Sequence, residues 1–328
     1  MSKQFVLLRL TSLRGVNLDV FEFDFDLTWM AFFLTADERV LGRFGSKMPD
    51  DADKYRNIEA LNFAMEAALK RHQQRPPAGK PSVKPPRTVE EYPGFAKFGP
   101  KSCVHCHHAY DLRREALQEK GTWSLDEVWV YPLPENVGWT MAVTPGNRVD
   151  AVAEKSLAAA SGMKAGDFLL EVDDKAVATF TDVQHALHKA PTKGDIAVKW
   201  SRDGKPMNAV LKLEKGWRQT DVSWRQSLKG LEPASGLHGE DLNAEEKNKL
   251  GLPAKALAFR QGNFPTPQVR QAGILQNDII VGVDGKKLEL TARQFDAHIR
   301  LNYQKGATLT LQLLRDGKRL DLQLRLKD

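Results

Sequence analysis

Two stretches of this chain repeat one another, and that repeat restricts the fold more than any other feature. Ser161-Gly162-Met163-Lys164-Ala165-Gly166-Asp167-Phe168-Leu169-Leu170-Glu171-Val172-Asp173 corresponds to Gln271-Ala272-Gly273-Ile274-Leu275-Gln276-Asn277-Asp278-Ile279-Ile280-Val281-Gly282-Val283-Asp284. Further on, Arg202-Asp203-Gly204-Lys205 corresponds to Arg315-Asp316-Gly317-Lys318. The offset is about 110 residues, the length of a domain and far too long for a solenoid repeat. Each copy reads alike: glycine ends a helix, aspartate follows in a tight turn, then come a strand, a second helix and a closing Asp-Gly hairpin.

A chain of 328 residues can bury more than one core, so two or three domains are expected. The net charge of +6 comes from 48 basic residues scattered among 42 acidic ones, and the composition gives no footprint for nucleic acid. No apolar run approaches the roughly 18 residues of a membrane span. Met1-Ser2-Lys3 leads directly into Gln4-Phe5-Val6, without the pattern of a secretory signal peptide.

The N-terminal part predicts a strand over Phe5–Leu10, then a hairpin whose arms, Leu27–Leu34 and Arg39–Phe44, flank Thr35-Ala36-Asp37-Glu38. Ile58, Leu61, Met65, Ala68 and Leu69 recur at helical spacing, giving an apolar face that must pack on that hairpin. Asp19, Glu22, Asp24 and Asp26 alternate with apolar residues, the pattern of a strand with one wet face; a cation site is the alternative. From Arg75 to Arg87, five prolines and two lysines predict a semi-extended linker.

Both cysteines lie in Cys103-Val104-His105-Cys106-His107-His108, with three of the eight histidines. C-x-x-C-H is the pattern of covalent c-type haem attachment, with His107 as proximal iron ligand. The haem reading carries the further expectation of a leader upstream of Met1. Zinc or copper held by Cys103, Cys106, His105 and His107 is the second reading, and a thiol–disulfide pair the third. Asp111–Lys120 predicts a short helix after the motif. The segment is too short to bury a porphyrin alone, so Trp123, Trp129 and Tyr131 would help to cover it, with Met141 or Met163 as distal-ligand candidates. His185 and His188, three apart on a predicted helix, read as a solvated face or a metal-binding pair.

Phe23-Asp24-Phe25-Asp26-Leu27-Thr28-Trp29, Ala31-Phe32-Phe33-Leu34, Cys103 to His107, and Trp129-Val130-Tyr131-Pro132-Leu133-Pro134-Glu135-Asn136-Val137-Gly138 together resemble a bacterial family of thioredoxin-like/PDZ (seleno)proteins. The resemblance implies an α+β multidomain chain: a partial thioredoxin-like ββα module (1–74), a proline-rich linker (75–98), a short helical C-x-x-C-H segment (99–134), a first PDZ-like domain (135–216), a second linker (217–233) and a second PDZ-like domain (234–328). The first strand and helix of a thioredoxin, which carry its redox pair, have no counterpart here. Each PDZ-like copy is similar in strand order to the PDZ domains of bacterial periplasmic proteases.

A PDZ domain takes an extended peptide as an added strand and receives its carboxylate in a glycine-containing loop. By resemblance, Val137, Gly138, Trp139 and Thr140 supply that loop and strand in the first copy, with the Phe180–His188 helix as the other wall. Gly236, Leu237, His238 and Gly239 supply them in the second, with the helix from Gln294 to Leu301. The alternative is a pair of packing modules with closed grooves. No G-x-S-x-G nucleophile motif is present and no length is left for a protease domain, which argues against proteolysis. The expected function is therefore an extracytoplasmic haem or metal protein for electron transfer or redox sensing, with a redox partner and a protein or peptide recruited through the PDZ-like domains. A non-enzymatic adaptor stapled by zinc or copper, or a thiol–disulfide protein with its main site upstream, are the alternatives.

Overall fold

A computed structural model describes residues 1–49, 51, 53–74 and 85–327. Residues 75–84 of the predicted proline-rich linker (75–98) lie outside the described residues, while Val89, in its second half, is fully buried. The chain divides into two compact units, Met1–Thr220 and Asp221–Asp328.

The first unit opens with a hairpin of β1 (Ala31–Leu34) and β2 (Val40–Phe44), paired antiparallel with Ala31 opposite Phe44 and Leu34 opposite Val40. Helix α1 (Ile58–Gln73) starts at Asn57, whose side chain accepts the Ala60 N–H. It packs on the hairpin through Ala60, Ala64, Met65 and Ala68 against Phe33, Leu41 and Phe44. The buried stripe is richer in alanine than the sequence pattern implies, and small side chains let the helix lie close. Ile58, expected on that face, is exposed.

Three expectations fail here. Phe5–Leu10 forms no strand, and Val6 and Leu8 stand 91% and 89% exposed; β-favouring side chains do not make a strand without a neighbour to pair with. The sheet is only two-stranded, β1 with β2, and a thioredoxin-like module is not supported. The acidic run is not a strand either: Leu18, Phe23, Phe25 and Leu27 turn inward to a separate core with Val89, Val104, Ala109 and Leu112. Its carboxylates are bonded within the fold, Asp19 to Arg87 at 2.8 Å, Glu22 to Lys189 at 2.5 Å, and Asp24 to the Tyr110 hydroxyl at 3.2 Å.

Helix α2 (Cys106–Glu119) is followed by the first repeated domain: β3 (Trp139–Met141), β4 (Val149–Val152), α3 (Leu157–Ala160), β5 (Phe168–Val172), β6 (Lys175–Ala176), α4 (Phe180–Lys189), β7 (Gly194–Arg202) and β8 (Lys205–Leu213). The strands form a β3-β4 pair and a sheet in the order β6-β5-β7-β8. Along β7, Ile196, Val198 and Trp200 are buried while Asp195, Ala197 and Lys199 are exposed, so the sequence alternation fixes which face meets the core. That core gathers Trp139, Leu169, Val183, Leu187, Leu211 and Leu213.

The second unit repeats the plan with β9 (Gly239–Asp241), α5 (Ala244–Lys249), β10 (Phe259–Gln261), α6 (Pro267–Gln271), β11 (Ile279–Val283), α7 (Ala292–Asn302), β12 (Thr308–Arg315) and β13 (Lys318–Arg325). Its strands join in one sheet of order β13-β12-β11-β10-β9. The closing hairpins match: Asp203 and Gly204 have φ of 49° and 76°, Asp316 and Gly317 have 50° and 75°, the left-handed pair that two-residue hairpins require.

One buried ion pair is also duplicated. Arg202 reaches Asp167 through Nε and Nη2, both at 2.8 Å, and its Nη2 also donates to Gly162 O. Arg315 holds Asp278 with both bonds at 2.7 Å and donates to Gly273 O. Each aspartate also accepts the N–H three residues before it, from Lys164 and Leu275. Burial works to raise the Asp167 carboxyl, but the bonds from Arg202 and Lys164 outweigh it and hold it below the usual carboxylate range. The repeated glycine, aspartate and arginine are therefore one clamp tying the helix end to the hairpin.

Candidate functional site: two peptide grooves

In the first domain, Ala153 N–H donates to Gly138 O and Ala142 N–H to Arg148 O, so residues 138 and 142 turn their backbone to β4. Trp139 and Met141 therefore present theirs to the opposite edge, where an added strand would pair. Gly138 has φ of 99°, and a Cβ there would meet Ser156 Oγ at 2.1 Å, so both conformation and space demand glycine at this turn. Val137, Trp139 and Met141 are buried in the domain core, with Thr140 partly exposed. The Trp139 indole N–H donates to Met163 Sδ at 3.2 Å, so Met163 is core and not an iron ligand.

The edge and the helix opposite it are bridged from outside the domain. The Tyr55 hydroxyl donates to Met141 O at 3.1 Å, and its ring stacks on Phe180, the first residue of α4, at 3.8 Å between centroids and 13° between planes. Met48 packs against the same core. Thr179 Oγ1 donates to Arg43 O at 2.7 Å, Arg43 N–H donates to Asp182 Oδ1 at 3.1 Å, and Thr181 Oγ1 accepts from Gly45 N–H and donates to Gly45 O. The free edge of the N-terminal hairpin, a surface that sheets normally cover, is thus closed by side chains of α4 and of its N-cap, Thr179.

Behind this contact α4 carries a buried charged layer. The Asp182 carboxylate lies 4.0 Å from Arg43 and 3.7 Å from Arg71; burial pushes its carboxyl up against the pull of both arginines. His185 is buried, and desolvation, reinforced by Arg43, Lys189 and Lys175, pushes its imidazole down to about 3. His188 is pushed well down for the same first reason; its Nδ1 accepts the Tyr131 N–H and its ring stacks on Tyr131 at 4.1 Å. Neither histidine is on a solvated face, and Tyr131 covers His188 rather than a porphyrin.

In the second domain Gly262 N–H donates to His238 O and Leu242 N–H to Ala258 O, so Gly239 and Asp241 turn outward as Trp139 and Met141 do. Gly236 takes φ of 71°, Leu237 is buried in the core, and His238 is exposed with Nε2 2.9 Å from Asn263 O. A Cβ on Gly239 would lie 1.9 Å from Arg260 O, so the strand approach needs glycine there. Between β9 and α7 the bridge is internal: Asp241 Oδ1 accepts the Ala292 N–H at 2.7 Å. Glu240 and Asp241 are exposed where Met141 is buried.

The C-x-x-C-H residues have a structural assignment. Val104 is fully buried, and its carbonyl accepts the Leu13 N–H at 2.9 Å. Helix α2 starts at Cys106, earlier than expected, and turns Ala109, Leu112 and Ala116 inward. His108 Nδ1 accepts the His105 N–H at 3.1 Å, so one imidazole closes the helix start. Cys103 is exposed while Cys106 is half-buried, and burial pushes the Cys106 thiol up, away from the thiolate that metals and disulfide exchange require. The rings of His107 and His108 lie 4.2 Å apart, yet among the described residues no group of three or more His, Cys, Asp or Glu is placed to hold a metal ion.

The PDZ domain family model matches residues 136–213 and 264–326. The chain carries two PDZ domains. The serine protease Do-like HtrA of Lactococcus lactis subsp. lactis is 38% identical over 82 residues, 25% of this chain and 20% of that protein. The periplasmic serine endoprotease DegP of Escherichia coli K12 is 28% identical over 120 residues, 36% and 25% of the two chains. The periplasmic pH-dependent serine endoprotease DegQ of the same strain is 24% identical over 187 residues, 57% and 38%. Against the HtrA-type protease AlgW with decapeptide, the TM-score is 0.25 at 13% identity, over 40% of this chain and 49% of that one. The chain spans about a fifth of the length of the Lactococcus relatives.

These relatives overturn the haem, electron-transfer, zinc, copper and thiol–disulfide readings of Cys103, Cys106, His105 and His107, since the matched proteins are serine proteases with PDZ domains. They also overturn the argument against a proteolytic role, which rested on an absent motif. Sequence reasoning missed Tyr55, Met48 and Arg43 at the groove. No local pattern signals a contact between residues 86 apart.

Proposed function

We propose that this chain recognises extended peptide or protein segments through its PDZ domains, in the service of HtrA-type proteolysis outside the cytoplasm. The observation that carries the reading is the outward-facing backbone of Gly239 and Asp241 on β9, beside α7 and next to the left-handed turn at Gly236. An incoming strand would pair there through its main chain, while its terminal carboxylate meets the Gly236–His238 turn. In the first domain the Val137–Thr140 stretch would play the same part. The serine-protease relatives support the proteolytic setting, and the periplasmic names of DegP and DegQ support the location. No helix among the described residues is long and apolar enough to cross a membrane.

The test is fluorescence anisotropy of the full chain with a fluorescein-labelled decapeptide ending in a free leucine carboxylate, beside the same peptide amidated at its C-terminus. Saturable binding that weakens about tenfold or more on amidation is expected, the loss of one charge-assisted anchor. Equal or absent binding of both would overturn the reading.

A further inference from the structure

The two grooves differ in what stands between strand and helix. Tyr55 hydrogen-bonds an outward carbonyl of β3 and stacks on the first side chain of α4, so it lies between the two walls that would receive a peptide. Its ring lines a crevice with Phe44, Phe63, Val143 and Thr181. Around it, Met48 packs on the domain core, and Arg43 and Gly45 exchange four hydrogen bonds with Thr179, Thr181 and Asp182. Trp139 and Met141, the residues whose backbone faces that edge, are 0% and 1% exposed.

We propose that Tyr55 and Met48, anchored by the Arg43–Gly45 backbone, are an internal occupant of the first PDZ groove, so that a peptide reaches β3 only after displacing them. The inference rests on the peptide-recognition reading for its purpose, but the occupancy itself does not. A tyrosine mimics a ligand here in two ways: its hydroxyl takes the place of an incoming main-chain N–H on Met141 O, and its ring fills the apolar space beside α4. Desolvation, with Glu135 and Asp150 nearby, pushes the Tyr55 phenol up, so it stays a donor throughout the physiological range. The second groove is bridged from within its own domain, by Asp241 Oδ1 accepting the Ala292 N–H. The first domain would then be gated by the segment that joins the N-terminal hairpin to α1, and the second would engage peptides first.

Hydrogen exchange read by mass spectrometry on the full chain tests this without depending on any ligand. Tyr55→Ala is expected to speed exchange over residues 137–143 by about tenfold, and Tyr55→Phe, which keeps the ring stack, by a smaller factor, with residues 236–242 unchanged in both. An unchanged rate over 137–143 in both variants would overturn the proposal. Should Tyr55→Ala unfold the first unit, the Tyr55→Phe comparison decides alone. Adding the free-carboxylate decapeptide should protect only 236–242 in the native chain, and both stretches in Tyr55→Ala. Protection of 137–143 in the native chain at the same peptide concentration would also overturn it. Faster exchange in Tyr55→Ala with no peptide protection anywhere would uphold the occupancy and sink the recognition reading.

Discussion

The two PDZ domains share a skeleton and differ at the groove. Both are held by the same clamp, Asp167 with Arg202 and Asp278 with Arg315, and both close with an Asp-Gly hairpin of like φ angles. Yet the first presents a buried β3 edge bridged by Tyr55, and the second an exposed β9 bridged by its own Asp241. What differs does not come from the repeated residues: it comes from the segment carrying Met48 and Tyr55, between the N-terminal hairpin and α1. The two copies share a scaffold, and under the proposed reading the surroundings of each set which groove a peptide would enter.

The largest expected effect tests the shared half of that comparison. Asp167→Ala and Asp278→Ala each remove a bidentate acceptor from a part-exposed arginine and leave a backbone N–H without its carboxylate, and each should cost its own unit about 2–3 kcal/mol in denaturant melts. Similar losses in the two units support one clamp used twice; a loss confined to one unit breaks the equivalence.

The next effect separates the units by pH. His185 stays neutral in the folded chain down to about 3, whereas an unfolded imidazole takes its proton near 6.5. Between those values the unfolded state binds more protons, so the stabilisation is complete above 6.5 and is lost as the pH falls. His188 acts in the same direction; Asp182, whose carboxyl burial pushes up, takes its proton earlier when folded and offsets part of the loss. His185 alone should cost the first unit about 2 kcal/mol between pH 7 and pH 5. In the second unit His298 is lowered by burial and Lys286 but only partly enclosed, and its melt should move less. Equal acid sensitivity of the two units would contradict the buried charged layer behind α4.

The smallest effect concerns the former cofactor motif. Cys103→Ser, at an exposed loop position, should change stability by less than about 0.5 kcal/mol and leave peptide binding as it was. A large loss of either would return a functional role to that thiol.

Much of the scaffold was legible in the sequence because its causes are local. The repeated glycine and aspartate turns marked the two domains, and Asp-Gly pairs set the hairpins. The β1–β2 hairpin and the helix packed on it were legible for the same reason, whereas Phe5–Leu10 was not, because a strand needs a neighbour that its own residues do not specify. Cys103 to His107 misled: Val104 belongs to the core that also holds Leu13, Leu18 and Phe23, Cys106 packs against that core, and the spacing of thiols and imidazoles says nothing of it. The glycine turns at Gly138 and Gly236 could be read off as candidates. Which of the two grooves is filled could not, since it depends on Tyr55 meeting Met141 and Phe180 through tertiary contact alone.

Whether Tyr55 closes the first groove can be read from the stoichiometry of decapeptide binding by isothermal titration calorimetry, in the native chain and in Tyr55→Ala. One peptide per native chain, held by the second domain, and two per Tyr55→Ala chain are expected. Two in the native chain, or no binding by either protein, would contradict the proposal.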